Sequence, residues 1–264
     1  MRRTMMLLGV VAGFALASLP GAARAQSETQ ALVDRATLTV QEMLTEGDPN
    51  ATRDVTRLLG QARAVVICPR LFRAGFIFGG QGGDCVLTAR DGAGSWSSPA
   101  FYTIGSASFG FQIGIQDAQV MMLILTNKGL NAVMDSQVKL GADASVALAT
   151  IGGGIAGATT TAVGADIVSY ARTRGLYAGI SLEGSLLSSR SDFNNGYYGR
   201  AVATRQIVVD MQAHNPAADP LRAALMRFGA GGSSAMAPMA QAPGALPPMQ
   251  AAPSGGAITR ETLR

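Results

Sequence analysis

The chain has 264 residues and a formal net charge of +4 at pH 7, and 48% of its residues are hydrophobic. The first 25 residues hold three arginines and no acidic residue, so the charge without them is +1 (4 − 3) and the basicity belongs largely to that segment. The roughly 200 remaining residues that we expect to be ordered are enough for one well-filled core, which favours one domain over two.

The N-terminus has the order of segments that is typical of a secretory signal peptide. Arg2 and Arg3 are followed by an apolar run over residues 5–19 and then by small residues, which predicts cleavage before Gln26. A transmembrane anchor is the alternative, but this run of about 15 residues is shorter than the ~20 that cross a bilayer. We therefore predict a signal peptide over residues 1–25 and a mature protein that is periplasmic or secreted and at most peripheral to a membrane.

Residues 28–63 have the spacing of two amphipathic helices, separated by a break at residues 47–50. The second helix has Val55, Leu58 and Leu59 on one side. The apolar stripe of the first helix consists of Leu32, Ala36, Val40, Met43 and Leu44.

From residue 64 to about residue 205 the pattern changes to short apolar runs bounded by glycine, aspartate or serine, which predicts strands. Short connections between them favour antiparallel pairing, since parallel strands need crossovers of a dozen or more residues. The predicted strands are residues 64–67, 75–78, 85–89, 109–115, 120–125, 179–187 and 205–209. The predicted helices are residues 128–134, 143–150, 157–172 and 219–228. The fold class is therefore α+β, with an extensive, mainly antiparallel sheet and with N-terminal and inserted helices.

The C-terminal region differs in composition from the rest of the chain. Residues 230–259 contain no charged residue and are rich in Gly, Ala, Pro and Met. Such a segment buries too little apolar side chain to offset its ordering entropy. We predict one domain over residues 26–229 and a disordered tail over residues 230–264.

The sequence contains few of the residues that enzymatic sites need. His214 is the one histidine and stands beyond the strand-rich region, where a solvated loop residue is a simpler interpretation than a triad or a zinc site. Gly152, Gly154 and Gly157 have GxGxxG spacing, but a predicted helix precedes them, which favours a glycine connection over a dinucleotide site. We expect no catalysis, no metal, no cofactor and no nucleic-acid partner.

The clearest charge feature is a run of arginines that is opposed within its span only by Asp54. Arg53 and Arg57 share a helix face, and an amphipathic basic helix can lie on an anionic bilayer, with about 1 kcal/mol from each Arg near the surface. The alternative is a helix that packs its apolar side on the sheet and leaves the arginines in water. The candidate lipid-binding residues are Arg53, Arg57, Arg63, Arg70 and Arg73, with Leu58 and Leu59 as shallow apolar contacts.

Cys68 and Cys85 are the two cysteines of the chain, and export would place them in an oxidising compartment. A disulfide between them would restrict the unfolded chain by ~3 kcal/mol. Two buried thiols that do not meet are the alternative, and the sequence leaves both open.

Five blocks of sequence resemble the SYLF domain family, in order and with matching spacing, and together they cover most of residues 64–200. They are AGFIFGGQGGDCVL at residues 74–87, WSSPAFYTIGSASFGFQIG at 96–114, KLGADASVA at 139–147, SYARTRGLYAGISLEGS at 169–185 and NNGYYG at 194–199. The combination is specific to the family, whereas any one block alone would not be.

The resemblance implies a lipid-binding domain without enzymatic activity, since eukaryotic members bind phosphoinositides and yeast actin-patch members bind actin filaments. The basic N-terminal side of the eukaryotic domain corresponds here, by position rather than by motif, to residues 53–73. Export would separate this chain from both actin and phosphoinositides. We therefore expect an anionic phospholipid membrane surface, or an envelope protein, as the partner, and we do not expect actin.

Overall fold

The computed structural model describes residues 20–46, 49–75, 78–109, 114–150, 164–174 and 182–230. Its helices are α1 (Pro20–Thr45), α2 (Pro49–Gln61), α3 (Asn127–Met134), α4 (Ser191–Tyr198), α5 (Thr204–Val208) and α6 (Asp219–Gly229), with a 3-10 turn at Pro216–Ala218. Its strands are β1 (Ala64–Gly75), β2 (Phe78–Ala89), β3 (Ala100–Phe109), β4 (Gly114–Ile124), β5 (Gln137–Lys139), β6 (Val146–Thr150), β7 (Ile167–Arg174) and β8 (Leu186–Ser189). Most of the predicted signal peptide, nearly all of the predicted tail and the GxGxxG glycines lie outside the described residues.

The described strands form one eight-stranded sheet in the order β5-β8-β3-β2-β1-β4-β7-β6. Neighbouring strands are antiparallel except β6 and β7, which pair in parallel. The predicted α+β class with an extensive, mainly antiparallel sheet is therefore confirmed. At one end of the sheet β1 and β3 finish, and β2 and β4 begin. We call this the distal end.

Helices pack on both faces of the sheet, and each interface is a separate hydrophobic core. The face that carries α1, α2, α4 and α6, which we call the α1 face, includes Val65 and Val86. The other, which carries α3 and α5 and which we call the α3 face, includes Val66 and Leu87. Successive side chains of a strand point to opposite faces, so the central strands are apolar on both sides.

The apolar spacing of residues 28–63 forms two helices as predicted, α1 and α2. Val55 and Leu59 of α2 are fully buried, and each aliphatic side chain of this size contributes about 1.5–3 kcal/mol when it leaves water. These contacts hold α2 on the α1 face. The stripe of α1, no residue of which is more than 4% exposed, is Leu32, Ala36, Val40, Met43 and Leu44.

β1 is interrupted by a bulge between Cys68 and Leu71, where its register with β4 shifts. Pro69 lies in this bulge, a position that tolerates proline because no ladder hydrogen bond is required there. Cys68 of β1 and Cys85 of β2 form a disulfide, and both are fully buried. Of the two alternatives that the sequence leaves open, the structure has the bridge.

The predicted helices at residues 143–150 and 157–172 are wrong wherever these residues are described, because residues 146–150 form β6 and residues 167–174 form β7. β7 lies between β4 and β6 and is buried on both faces over residues 167–171. A continuous apolar run of this kind does not distinguish a strand from a helix. The carboxylate of Asp143, at the start of the first of these two predicted helices, accepts a hydrogen bond from the Lys139 amide at 2.6 Å.

The predicted strand at residues 205–209 is also wrong, since Thr204–Val208 form α5. The Gln206 side chain accepts a hydrogen bond from the Ala203 amide at 3.0 Å, which closes the first turn of this helix. The described residues of the predicted strands at 75–78 and 109–115 lie at the distal end, in the terminal positions of β1, β2, β3 and β4. Residues 76–77 and 110–113 of these two predictions lie outside the described residues.

Candidate lipid-binding surface

The outer side of α2 presents two of the predicted arginines to solvent. Arg53 and Arg57 are both exposed and lie one helical turn apart. The Arg53 Nε donates to the Pro49 carbonyl at 3.2 Å, and its guanidinium also donates to the Asn50 side chain. Arg57 pairs with Asp54 at 3.4 Å, with 55% of its side chain exposed. Surface pairs of this kind contribute only about 0–1 kcal/mol, so both guanidinium groups remain accessible to a phosphate.

Leu58 and Leu59 point the other way. Leu58 is 7% exposed and Leu59 is fully buried, and both belong to the core beneath α2. The prediction that they are shallow lipid contacts is wrong, because side chains that hold the helix on the sheet reach a bilayer only if α2 detaches. α2 is a helix that packs its apolar side on the sheet and leaves its arginines in water.

The other three predicted arginines are distributed along β1. Arg63 precedes the first residue of β1, and Arg73 lies near its last. Ten residues separate them, which at about 3.3 Å per strand residue is roughly 30 Å. Arg63 borders a shallow groove of about 430 Å³ that residues 60–63 and 90–94 line, at the end of the sheet opposite the distal end.

The side chains of Arg70 and Arg73 lie on opposite faces of the sheet. The Arg70 Nε pairs with Asp117 at 2.7 Å, and its guanidinium carbon lies 5.9 Å from the centre of the Phe72 ring. Strand alternation then directs Arg73 to the face opposite Phe72, where its register partner Gln81 is 9% exposed. The five arginines therefore do not form one surface, and the prediction that they act together is wrong.

An exposed apolar group at the distal end was missed by the sequence analysis. Phe72, Phe78 and Ile115 are 41%, 76% and 73% exposed. The signal was present in the sequence, since residues 75–78 and 109–115 are largely apolar although they contain several glycines, which are typical of turns. We interpreted these segments as strands because apolar runs of that length are typical of strands.

His214 is half-exposed and is not an isolated loop residue. Its Nδ1 lies 3.2 Å from the Ser98 Oγ, and its Nε2 lies 3.8 Å from the Asp219 Oδ1. The order Ser, His, Asp is that of a hydrolase triad, but Ser98 is only 4% exposed and Asp219 is already paired with Arg222 at 2.7 Å. The His–Asp distance also exceeds a hydrogen bond. The contact ties the segment before β3 to the start of α6, which is a structural role.

A largely buried carboxylate at Asp166 joins α3, β6 and β7. It accepts hydrogen bonds from the Thr126 hydroxyl at 2.6 Å, from the Ser145 amide at 3.1 Å and from the Ser145 hydroxyl at 2.9 Å. The Lys128 ammonium lies 3.2 Å away. The Thr126 hydrogen bond, followed by those of Ser145 and Lys128, holds the pKa of Asp166 far below its ordinary range. Donors of the protein itself satisfy this carboxylate, so it is a structural group.

Two features that the described residues lack bear on the class of site. Within them, no cluster of three or more His, Cys, Asp or Glu has an arrangement that could hold a metal ion. Within the same residues, no helix is at once long enough and apolar enough to cross a membrane.

The chain is similar in sequence to one family of proteins. Residues 105–228 match the family model described as Ysc84, Las17-binding protein actin regulator. An SH3 domain-containing protein of Schizosaccharomyces pombe is 32% identical over 167 residues, which are 62% of this chain and 39% of that protein. LAS seventeen-binding protein 3 of Saccharomyces cerevisiae is 29% identical over 167 residues, 62% of this chain and 36% of its own length. SH3 domain-containing YSC84-like protein 1 of Homo sapiens is 28% identical over 152 residues, 57% of this chain and 44% of its own. The chain thus spans less than half the length of these relatives.

Proposed function

We propose that this chain, whose residues 105–228 belong to the Ysc84 (SYLF) family, is a non-enzymatic protein that binds anionic phospholipid at a membrane surface. The observation that carries the proposal is the outer side of α2, where Arg53 and Arg57 are exposed together on a helix that the core holds in place. Guanidinium groups bind phosphate oxygens through paired donors, and each contributes on the order of 1 kcal/mol near an anionic surface. One relative, LAS seventeen-binding protein 3, is named as a binding protein, which agrees with a role without catalysis.

Sedimentation with vesicles tests the proposal. The chain from Gln26 is mixed with vesicles of phosphatidylcholine alone or of phosphatidylcholine with phosphatidylglycerol, and we expect at least tenfold tighter binding to the anionic vesicles. The substitutions Arg53→Glu and Arg57→Glu together should remove most of this preference. Lys139→Glu and Arg205→Glu are the matched control, because they make the same charge change at exposed positions away from α2. Equal binding to both vesicles, or equal loss in both double variants, would overturn the proposal.

We further propose that the chain is exported and that the mature protein begins at Gln26. Among the residues of α1 whose burial is described, the first buried one is Thr29, so a chain that begins at Gln26 retains all of these buried residues. Expression of the full chain in a bacterial host, followed by fractionation and intact mass measurement, tests this. A periplasmic protein that lacks residues 1–25 is the expected result, and an uncleaved cytoplasmic protein would contradict it.

A protein-binding role is the second candidate, and the family description favours it because it names Las17 binding and actin regulation for its members. An exported chain would meet neither protein, so the partner here would be a component of the cell envelope. Crosslinking in cells distinguishes the two candidates. One stoichiometric envelope protein, recovered from a chain that has no affinity for vesicles, would favour this second function.

A further inference from the structure

We infer that the distal end of the α1 face is the surface that enters the membrane interface, with Phe72, Phe78 and Ile115 as its apolar contacts. The inference rests on the lipid-binding function proposed above and names the side of the domain that faces the bilayer. These three residues are distinct from the arginines of α2 and supply a different kind of contact.

The strand register places the three side chains on one face. Ala74 of β1 pairs with Ile115 on one side and with Gly80 on the other. Phe72 and Phe78 each lie two residues from a member of this row, so all three large side chains point the same way. This is the α1 face, because Gly82, the register partner of Phe72, is four residues from Val86 of the α1-face core.

The core of the α1 face stops short of this group. The side chain of Gln119 in β4 donates to the Glu42 carboxylate of α1 at 2.8 Å, which marks how far the helix covers this strand. Ile115 lies four residues beyond Gln119 toward the distal end, and it is 73% exposed. Phe78 is 76% exposed, and neither Phe78 nor Ile115 is among the described members of the two cores.

Small residues separate the large ones and flatten the surface between them. Gly80, Gly82 and Gly105 are neighbours across β2 and β3 on this face. A Cβ added to any of them would meet a backbone oxygen at 3.4 to 3.8 Å, which is ordinary contact, so no overlying side chain requires glycine there. Phe72, Phe78 and Ile115 therefore stand above a smooth floor, a shape that suits a planar partner.

An exposed arginine lies at the edge of the group. In residues 70–75, 78–83, 104–109 and 114–118 the charged residues are Arg70, Arg73 and Asp117, of which Arg70 and Asp117 lie on the α1 face and Arg73 points to the α3 face. The one carboxylate is paired with Arg70, whose side chain is 68% exposed at the rim. Aromatic and aliphatic groups with arginine at their edge are the usual composition of a membrane–water interface, where the apolar part enters and the guanidinium stays with the head groups.

The magnitudes indicate which contact dominates. Full burial of a Phe or Ile side chain contributes about 1.5–3 kcal/mol, whereas an arginine near an anionic surface contributes about 1 kcal/mol and is screened by salt. Phe78 and Ile115 together can thus outweigh Arg53 and Arg57. Removing the apolar pair should weaken binding at every salt concentration, and removing the arginine pair should do so mainly at low salt.

Vesicle binding by paired variants tests the inference. Phe78→Ser with Ile115→Ser should weaken binding to phosphatidylcholine–phosphatidylglycerol vesicles at least tenfold. Val209→Ser with Met226→Ser, which removes two exposed apolar side chains elsewhere, should leave it within twofold of the unsubstituted chain. Circular dichroism melting establishes that both variants are folded. If the chain itself does not bind vesicles, the proposed function fails. If it binds and the Phe78 and Ile115 variant binds equally well, only this inference fails.

A depth measurement gives an independent readout that does not depend on affinity. Phe78→Trp is compared with Met226→Trp in the presence of vesicles that contain brominated lipid, and the native Trp96 adds little background because it is fully buried. Stronger quenching of the tryptophan at position 78 is expected. Equal quenching at both positions would overturn the inference. A second result would also overturn it: substitution of Phe78 and Ile115 abolishes a dimer in solution and leaves vesicle binding unchanged.

Discussion

A Cβ atom on Gly83 would lie 2.2 Å from the carbonyl oxygen of Arg70. The bulge of β1 therefore rests on β2 at a residue that has no side chain, and the backbone of Arg70 fills the space that any other residue would need. After this contact the alternation of β1 is reversed, so that Leu71 belongs to the α3-face core and Phe72 points to the α1 face.

We expect Gly83→Ala to destabilise the fold by about 1–3 kcal/mol, because the added methyl group overlaps backbone that cannot move without breaking the ladder. For a domain of this size each kcal/mol lowers Tm by about 2–4 °C. Gly82→Ala is the control, since its Cβ would lie 3.6 Å from the nearest oxygen, and it should cost no more than about 0.5 kcal/mol. Thermal unfolding followed by far-UV circular dichroism measures both, and equal Tm values for the two variants would contradict the prediction.

Removal of the Cys68–Cys85 bridge by two alanine substitutions should lower the free energy of unfolding in urea by about 2–4 kcal/mol. Both sulfurs are buried, so a thiol reductant should have little effect on the native chain and should act once urea has opened it. The chain has two cysteines, and any effect of the reductant is therefore assigned to this bridge. A urea midpoint that the reductant leaves unchanged would refute the prediction.

Asp166 should make the chain sensitive to acid. Its pKa in the folded chain lies far below the ordinary value of 3.8, with the Thr126 hydrogen bond as the largest cause. A carboxylate with a depressed folded pKa stabilises the fold above the unfolded pKa, and this contribution is lost as the pH falls through the unfolded value toward the folded one. Between about pH 5 and pH 2, stability should therefore decline more steeply in the unsubstituted chain than in Asp166→Asn.

The same substitution should reduce stability at pH 7 by about 1.5–3 kcal/mol, the range for hydrogen bonds to a charged group. Asp210→Asn, at an exposed carboxylate, is the matched control and should change neither the stability at pH 7 nor the acid limb. Urea midpoints measured across the pH range test both expectations. If stability declines equally steeply at acid pH in Asp166→Asn and in the unsubstituted chain, the role of the Asp166 carboxylate is refuted.

The contact between Ser98 and His214 should prove structural. We expect His214→Ala to lower the free energy of unfolding by about 0.5–1.5 kcal/mol, the usual contribution of one hydrogen bond. The hydrolysis of p-nitrophenyl acetate should proceed at the same rate with the unsubstituted chain, with His214→Ala and with Ser98→Ala. A rate that disappears in both variants would identify a catalytic pair and contradict a role without chemistry.

Local spacing was sufficient to predict the N-terminal helices, because a stripe with a period near 3.6 fits one secondary structure only. It was insufficient for β7, where burial on both faces removes the alternation that identifies a strand. Arg53 and Arg57 could be placed together for the same reason as the helices. Arg70 and Arg73 could not, since their directions depend on the bulge and on the partner strands.

The apolar group at the distal end illustrates the other limit of sequence reasoning. Phe78 and Ile115 lie in runs that have the composition of strands, and their exposure follows from where α1 ends its cover of the sheet. That boundary is a tertiary property, set by contacts between residues about 80 positions apart, such as Glu42 and Gln119. A sequence pattern confined to a window of 10 to 20 residues does not contain it.

The bridge between Cys68 and Cys85 also fixes the register of β1 and β2, which the side chains of β2 specify only weakly. β2 begins with Phe78 and continues through Gly79, Gly80, Gln81, Gly82 and Gly83, and a strand with so few side chains has little to distinguish one alignment from the next. A covalent link one residue from the Ile67–Val86 pair removes the slipped alternatives, and a slip by one residue would exchange Val86 and Leu87 between the two cores. Formation of the disulfide thus selects the correct strand register as well as stabilising it. In a chain folded under reducing conditions, the register would depend on the second half of β2, residues 84–89, alone.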